Sequence, residues 1–147
     1  MSKHVGTNKK GFTIIEVVLV LAIAGLIFLI VFLAVPALQR ARRDTQRKND
    51  VGRFLAQLEQ YASNNNGTYP SSQIQMDDFV DEYMDDFSDP KEGSYTLQYT
   101  NTDPDGPSVP QFQYHVNSSC TGGSPGNRAV AAAVGLEAGG FYCQDNS

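Results

Sequence analysis

The chain has 147 residues, of which 41% are hydrophobic and 18% are charged, and its formal net charge is −5. This length allows no more than one ordinary domain. Nine of the eleven Lys and Arg residues lie in residues 1–53, whereas thirteen of the sixteen Asp and Glu residues lie in residues 54–147. Because phosphate contacts need clustered Lys and Arg, we expect no nucleic-acid binding by the acidic part.

The first predicted element is a membrane-spanning helix over residues 17–38. These residues include no charged or strongly polar side chain. A helix of this length rises about 33 Å, which is enough to cross a hydrocarbon core of about 30 Å. A cleaved secretory signal is the alternative, but its apolar region is usually only about 7 to 15 residues long. The length therefore favours a span.

Glu16 lies directly before this apolar run. A carboxylate in a spanning helix costs on the order of 2.5 to 3.5 kcal/mol on insertion scales unless a partner compensates it. No Lys, Arg or His follows within two helical turns, so we expect the partner of Glu16 to come from outside the segment. The alternative is an ordinary first-turn residue just above the bilayer.

A short motif surrounds this carboxylate. Lys9 and Lys10 lead to Gly11, Phe12 follows, and Glu16 lies four residues later. The combination resembles the N-terminal signature of type IV pilins and their relatives, the pseudopilins. The resemblance implies that a prepilin peptidase cuts between Gly11 and Phe12 and that the new Phe12 amine is methylated. It also implies that Glu16 pairs with the Phe12 amine of a neighbouring subunit during filament assembly, a register function for a buried charge.

Gly25 and Pro36 are expected to interrupt the long helix. Proline lacks a backbone donor and crowds the carbonyl four residues before it, so the helix should kink or loosen around Phe32. By the same resemblance, residues 25–36 are a candidate for a stretch that melts when pilins pack in a filament. The alternative is that a membrane helix simply tolerates both residues.

Beyond Leu38 the sequence predicts a solvated, charged helical neck over residues 39–50. An apolar stripe with helical spacing then runs from Val51 to Ala62 and needs a cover. The helix is expected to end at about Asn64, because Asn and Gly residues follow and tolerate left-handed backbone.

The remaining residues predict a short acidic helix and a small sheet. Apolar residues from Met76 to Phe87 repeat at helical spacing, and the acidic residues between them are interpreted as a solvated face rather than a calcium site. Strands are predicted over residues 95–100, 111–116 and 128–134, with a shorter one over residues 141–143. We expect them to form an antiparallel meander laid against the apolar stripe.

The predicted fold is therefore α+β and pilin-like: the C-terminal half of a long N-terminal helix packs against a small antiparallel sheet. Four segments follow from this prediction. They are a cleaved leader over residues 1–11, a membrane-spanning and filament-core half of the helix over residues 12–38, an exposed amphipathic half over residues 39–65, and a globular domain over residues 66–147.

Cys120 and Cys143 are predicted to form a disulfide, because an even pair in a small exported domain favours one. Many pilins close a C-terminal loop in this way. Residues 101–106 offer oxygens at alternate positions, and some pseudopilins bind calcium in this region, but a plain turn explains the same residues. No other cofactor is expected. A lone His115 and the lack of a nucleophile motif favour a protein that is not an enzyme.

The basic residues after the span would, by the positive-inside rule alone, place the C-terminal part in the cytoplasm. The motif, the paired cysteines and the acidic domain favour the opposite orientation, with a single pass through the cytoplasmic membrane and the domain outside. The basic run would then contact lipid headgroups or acidic surfaces of neighbouring subunits.

The function that the resemblance implies is a structural subunit of an extracellular type IV pilus that serves adhesion, motility or DNA uptake. Its partners would be prepilin peptidase, other pilin subunits, and the assembly ATPase and membrane platform. One alternative is a pseudopilin of a type II secretion or competence system. Another, from a different class, is a signal-anchored extracytoplasmic binding domain.

Overall fold

The structure is a computed structural model that describes residues 11–122, 126 and 128–146. The chain divides into two compact units, with the boundary between Leu38 and Gln39. Its elements, in chain order, are α1 (Ile14–Asn64), α2 (Gln73–Tyr83), β1 (Thr96–Tyr99), β2 (Gln111–Val116), β3 (Val130–Gly135) and β4 (Phe141–Asp145). The predicted α+β class is confirmed.

Helix α1 is continuous from Ile14 to Asn64 with Pro36 inside it, so neither Gly25 nor Pro36 ends the helix. The kink or loosening around Phe32 stays a prediction. A proline inside a helix removes a single backbone hydrogen bond, and the turns on either side remain bonded. The helix ends as predicted. Asn66 has a φ of 56° and Gly67 a φ of 78°, and the Gly67 N–H donates to the Ala62 carbonyl at 2.7 Å. This left-handed end satisfies a carbonyl of the last turn.

The first unit holds the apolar part of α1. Its side chains from Ile14 to Leu38 are almost all exposed. The helix is long and apolar enough to cross a membrane, and none of its most apolar stretch is buried within the chain. No part of the chain that the structure describes therefore covers this stretch.

The second unit has a core between α1, α2 and the sheet. The predicted stripe of α1 supplies Val51, Phe54 and Leu58, all with no exposed surface. The Phe54 ring lies 5.2 Å from the ring of Phe79 on α2 and 4.8 Å from that of Phe112 on β2. The stripe predicted from helical spacing is therefore the face on which the small domain folds.

The sheet has the strand order β1-β2-β3-β4 and is mixed. Strands β2, β3 and β4 are antiparallel neighbours, but β1 pairs with β2 in parallel, with Thr96 opposite Gln111 and Tyr99 opposite Tyr114. The predicted antiparallel meander is therefore wrong at its first strand. Residues 100–110 form a connection much longer than a hairpin turn, and it returns the chain to the end of the sheet at which β1 began.

Helix α2 begins and ends earlier than predicted. Ser72 caps it by accepting a hydrogen bond from the Gln75 N–H, and the backbone becomes extended at Met84. The predicted extension of the helix to Phe87 is wrong. The apolar pattern continues beyond Tyr83 because residues after the helix are also buried. Met84 is 7% exposed, and the Phe87 ring lies 4.8 Å from that of Tyr95. Apolar spacing reports burial, and here burial continues after the helical backbone has ended.

Most of the neck of α1 is exposed as predicted, but one face of it is buried. Asp44, Arg47 and Asp50 are 6%, 0% and 3% exposed. The Arg47 guanidinium donates to both carboxylate oxygens of Asp89, at 2.7 and 3.0 Å, and to Glu137 Oε1 at 2.9 Å. Because carboxylates of the folded domain contact the guanidinium, this face of the charged neck is part of the domain interior.

The group formed by Arg43, Asp44, Arg47, Asp89 and Glu137 is called the Arg47 cluster below. Arg43 donates to both Glu137 carboxylate oxygens, at 2.6 and 2.7 Å, and Asp44 accepts from Arg47 and from the backbone N–H groups of residues 137 and 138. Asp89 also accepts from the N–H groups of Lys91 and Glu92. The cluster therefore joins α1 to two turns far along the chain.

Proton affinities in the cluster follow from these contacts. Hydrogen bonds from Arg43, together with those from Arg47, outweigh desolvation and lower the pKa of Glu137 from 4.5 to about 2. Burial alone would raise the pKa of Asp89, but Arg47 and two backbone amides lower it. Both carboxylates are thus held in their charged form.

We expect the domain to lose stability as the pH falls from about 5 to 2. The folded-state pKa of Glu137 lies below its unfolded value of 4.5, so its contribution is complete above that value and is lost as the pH approaches 2. Urea unfolding of the full chain in detergent at several pH values measures this slope. Glu137→Gln should flatten it, and Glu82→Gln, on the exposed face of α2, should not. An equal slope in Glu137→Gln and the wild type would contradict the assignment.

Candidate functional site

The start of α1 carries a reciprocal hydrogen-bonded cap. Thr13 precedes the first helical residue, Ile14, and its N–H and hydroxyl each donate to Glu16 Oε2 at 2.8 Å. The Glu16 N–H in turn donates to Thr13 Oγ1 at 3.4 Å. This is a capping box, in which Thr at the cap and Glu three residues later satisfy each other's backbone donors.

Glu16 therefore has a hydrogen-bond partner within its own segment, and the expected cationic partner from outside the segment stays a prediction. The Thr-x-x-Glu spacing of a capping box is visible in the sequence, and the sequence prediction omits Thr13. The box supplies hydrogen bonds but no positive charge. Among the described residues, no Lys or Arg forms an ion pair with Glu16.

Gly11 and Phe12 precede the helix and have no regular secondary structure. The Phe12 side chain is 90% exposed. Apart from the chain neighbours of Gly11, no heavy atom of the described residues lies within 4 Å of the position that a Cβ on Gly11 would occupy. The described residues therefore leave the Gly11–Phe12 peptide bond uncovered. The rest of the predicted leader, residues 1–10, lies outside the described residues.

The cap and the predicted cut are compatible. Thr13 and Glu16 both follow Phe12, so cleavage between Gly11 and Phe12 would leave the capping box complete. Comparison with protein families gives a match over residues 6–32 to the prokaryotic N-terminal methylation motif. The chain carries this methylation motif. This motif is the class III signal sequence of type IV pilins. The match confirms the resemblance inferred from Gly11, Phe12 and Glu16 for the motif itself, over residues 6–32.

The methylation motif supports a prepilin of the pilin or pseudopilin kind. The motif belongs to a structural rather than a catalytic family, and the exposed apolar half of α1 fits a membrane-anchored pilin. Neither the comparison with curated proteins nor the comparison with solved structures found a match.

The predicted disulfide between Cys120 and Cys143 is present, with a Cα–Cα distance of 5.8 Å. Cys143 lies on β4, and the backbone N–H of Cys120 donates to the Asp145 carboxylate on the same strand at 2.7 Å. The bond therefore ties the segment after β2 to the last strand of the sheet.

Removal of the disulfide should lower the free energy of unfolding by about 3 kcal/mol in the chain-entropy model. The two cysteines are 23 residues apart, and the reduced chain loses that constraint on its unfolded state. Urea unfolding of the Cys120→Ser/Cys143→Ser variant measures the loss. Wild type in reductant should match the variant, and reductant should have no further effect on the variant. Equal stability of the oxidised wild type and the variant would contradict the prediction.

The other residues singled out from the sequence have ordinary structural contacts. Asp103, in the segment considered for calcium, accepts from the Ser118 hydroxyl at 2.7 Å and from the Ser119 N–H at 3.3 Å. The His115 ring lies 5.7 Å from that of Tyr99, and burial lowers its pKa. Within the described part of the chain, no three His, Cys, Asp or Glu side chains are grouped so that they could hold a metal ion.

Proposed function

We propose that this chain is a prepilin that is held in the cytoplasmic membrane, cut between Gly11 and Phe12 by a prepilin peptidase and methylated on Phe12. The mature subunit then polymerises into an extracellular type IV pilus filament. The observation that carries the proposal is that the methylation motif stands at the start of an apolar helical segment that no described residue covers. Lipid covers such a segment before assembly, and identical helices would cover it afterwards.

The geometry at Glu16 supports a role in assembly. Both hydrogen bonds from Thr13 go to Oε2, and no described residue donates to Oε1. A carboxylate oxygen accepts further hydrogen bonds when ionised. Glu16 can thus cap its own helix with one oxygen and accept from the Phe12 amine of a neighbouring subunit with the other.

Cleavage supplies the cation that such a contact needs. The new Phe12 amine would lie four residues, or about 6 Å along a helix, from Glu16 of the same chain. Because the cap already occupies Oε2, an amine from a second subunit can pair with Oε1 without disturbing the helix start. This arrangement would set neighbouring helices in register. The melting of residues 25–36 in the filament is a separate prediction and does not depend on this contact.

The proposal places the acidic domain outside the membrane. The assembly ATPase and the membrane platform would be the cytoplasmic and membrane partners of polymerisation. A pseudopilin of a secretion or competence system would use the same motif and the same contact, in a shorter fibre. A signal-anchored binding domain would need the apolar span but would have no use for the Glu16 charge.

The cleavage part of the proposal is tested by coexpression with a prepilin peptidase. The substituted chains are Gly11→Val and, as a matched control, Gly25→Val, because no heavy atom lies within 4 Å of a Cβ at either glycine. We expect N-terminal sequencing of the wild type and Gly25→Val to begin at Phe12. We expect Gly11→Val to stay uncut, because a branched side chain hinders access to the peptide bond. A wild-type chain that kept its leader, or full cleavage of Gly11→Val, would overturn this proposal.

A further inference from the structure

The six basic residues in residues 39–53 do not share one environment. Three of them pair with carboxylates of their own domain. Arg43 pairs with Glu137, Arg47 with Asp89, and Arg53 with Asp50 at 3.2 Å. These three are therefore already compensated in the folded chain. They leave Arg40, Arg42 and Lys48 as the exposed cations of the neck.

Arg40 and Arg42 are exposed, and neither forms an ion pair with any residue that the structure describes. They follow Leu38, the last residue of the apolar run, by two and four residues. Since a helix rises about 1.5 Å per residue, they lie about 3 and 6 Å beyond that residue along the helix axis. Lys48 lies about 15 Å beyond it.

These distances match the thickness of a headgroup layer. A bilayer of about 40 to 45 Å with a hydrocarbon core of about 30 Å has a polar layer of roughly 5 to 7 Å on each side. If residues 17–38 cross the core, as the proposed function requires, both guanidinium groups reach this layer and Lys48 lies outside it. Arginine pairs well with phosphate because its planar fork donates two parallel hydrogen bonds.

The angular positions favour lipid over a protein partner. Residues 40 and 42 are two positions apart on α1, so their side chains leave the helix about 200° apart around the axis. A second subunit would meet one side of the helix and reach one of the two. Lipid surrounds the helix and reaches both.

We propose that Arg40 and Arg42 form a belt that binds the phosphates of anionic phospholipids in the leaflet next to the globular domain. The belt fixes the depth of the helix in the membrane while the subunit is stored there. It also counters the repulsion between an anionic bilayer and residues 54–147, which hold thirteen acidic residues and two basic ones. The inference rests on the proposed membrane storage of the prepilin.

The full chain, reconstituted in bilayers of equal parts phosphatidylglycerol and phosphatidylcholine, provides the test. The protein is extracted in mild detergent, and mass spectrometry gives the ratio of the two lipids that copurify with it. The variants are Arg40→Gln/Arg42→Gln and the matched control Lys48→Gln, which removes the same kind of charge from the same neck outside the headgroup layer. Lys9 and Lys10 are present in every variant, so lipid held by the leader is the same in each.

We expect the wild type and Lys48→Gln to retain an excess of phosphatidylglycerol. Each lost guanidinium should reduce this excess by about fivefold, the effect of a basic residue near an anionic surface. Raising the salt to about 0.5 M should reduce it in the wild type, because screening weakens the attraction. A wash with inorganic phosphate should leave the lipid in place. Release of lipid by that wash would indicate a site for free phosphate and would overturn the headgroup assignment.

Other outcomes separate the two proposals. If the wild-type chain is washed from the membrane by carbonate, the proposed membrane storage fails. If the chain stays in the membrane and all three proteins retain the same lipid ratio, the belt is overturned and membrane storage stands. If Arg40→Gln/Arg42→Gln instead loses chemically cross-linked dimers at an unchanged lipid ratio, the partner is a second copy, and the belt is again overturned. Circular dichroism should show unchanged unfolding, since both side chains are exposed.

Discussion

Substitution of Arg47 by Met should lower the free energy of unfolding by about 3 to 5 kcal/mol, the cost of removing one partner from a buried charge group. Asp44, Asp89 and Glu137 all accept hydrogen bonds from the Arg47 guanidinium, and Asp89 is 2% exposed. Without Arg47, Asp44 and Asp89 keep only backbone N–H donors among the described residues, and the remaining cation of the cluster, Arg43, contacts Glu137. Urea unfolding of the full chain in detergent, followed by near-ultraviolet circular dichroism of the tyrosines, measures the loss.

Arg43→Met is the matched control for this prediction. The Arg43 side chain is 27% exposed, and Arg47 would still donate to Glu137 in that variant. Because this pair is only partly buried, its loss should cost about 1 kcal/mol. Equal losses of unfolding free energy in the two variants would show that the burial of Arg47 does not determine how much the cluster stabilises the domain.

A double variant separates the loss of charge balance from the loss of packing. In Arg47→Met/Asp89→Asn the buried carboxylate becomes neutral, and its amide oxygen can still accept from the N–H groups of Lys91 and Glu92. We expect the double variant to be more stable than Arg47→Met, because a buried charge without its partner is what destabilises the single variant. A double variant that is less stable than Arg47→Met would contradict this account.

The Arg47 cluster also shows why part of the fold was not predictable from the sequence. The partners of Arg47 lie 42 and 90 residues further along the chain. A run of charges with good helix formers is most often solvated. Asp44 is on the same helix as Arg47, and only the folded domain brings Asp89 and Glu137 to it. The apolar stripe from Val51 to Ala62 was predictable because its signal is a local spacing on one helix.

The sheet shows the same division between local and long-range information. The residues of β2 were predicted at their observed bounds, Gln111–Val116, because polar and apolar side chains alternate within the strand itself. The direction of β1 relative to β2 depends on the path of residues 100–110, which no alternation pattern encodes. The end of α2 was missed for a related reason, since Met84 remains buried after the helix ends.

At the functional site, motif recognition and local chemistry contributed different residues. Gly11, Phe12 and Glu16 came from the resemblance, which the match to the methylation motif supports. Thr13 could have come from capping rules alone, since Thr with Glu three residues later precedes an apolar helix. The methylation motif and the capping box thus share the Glu16 carboxylate, and the motif alone does not identify Thr13.

Replacement of Glu16 by Gln should abolish filament assembly while leaving the helix start intact. Glutamine serves at this position of a capping box as glutamate does, so the hydrogen bonds to Thr13 survive and only the negative charge is lost. A hydrogen bond to a charged partner contributes about 1.5 to 3 kcal/mol. Its loss at every subunit contact corresponds to a more than tenfold weaker association at each step.

Thr13→Ala is the complementary variant. It removes the cap, at about 1 kcal/mol of helix stability, but keeps the Glu16 charge and leaves both carboxylate oxygens available to a neighbouring amine. We expect it to be cleaved and to yield filaments in a shearing assay, and we expect Glu16→Gln to be cleaved and to yield none. The opposite pattern, with filaments from Glu16→Gln and none from Thr13→Ala, would mean that Glu16 acts as a helix cap and that another residue sets the register of the subunits.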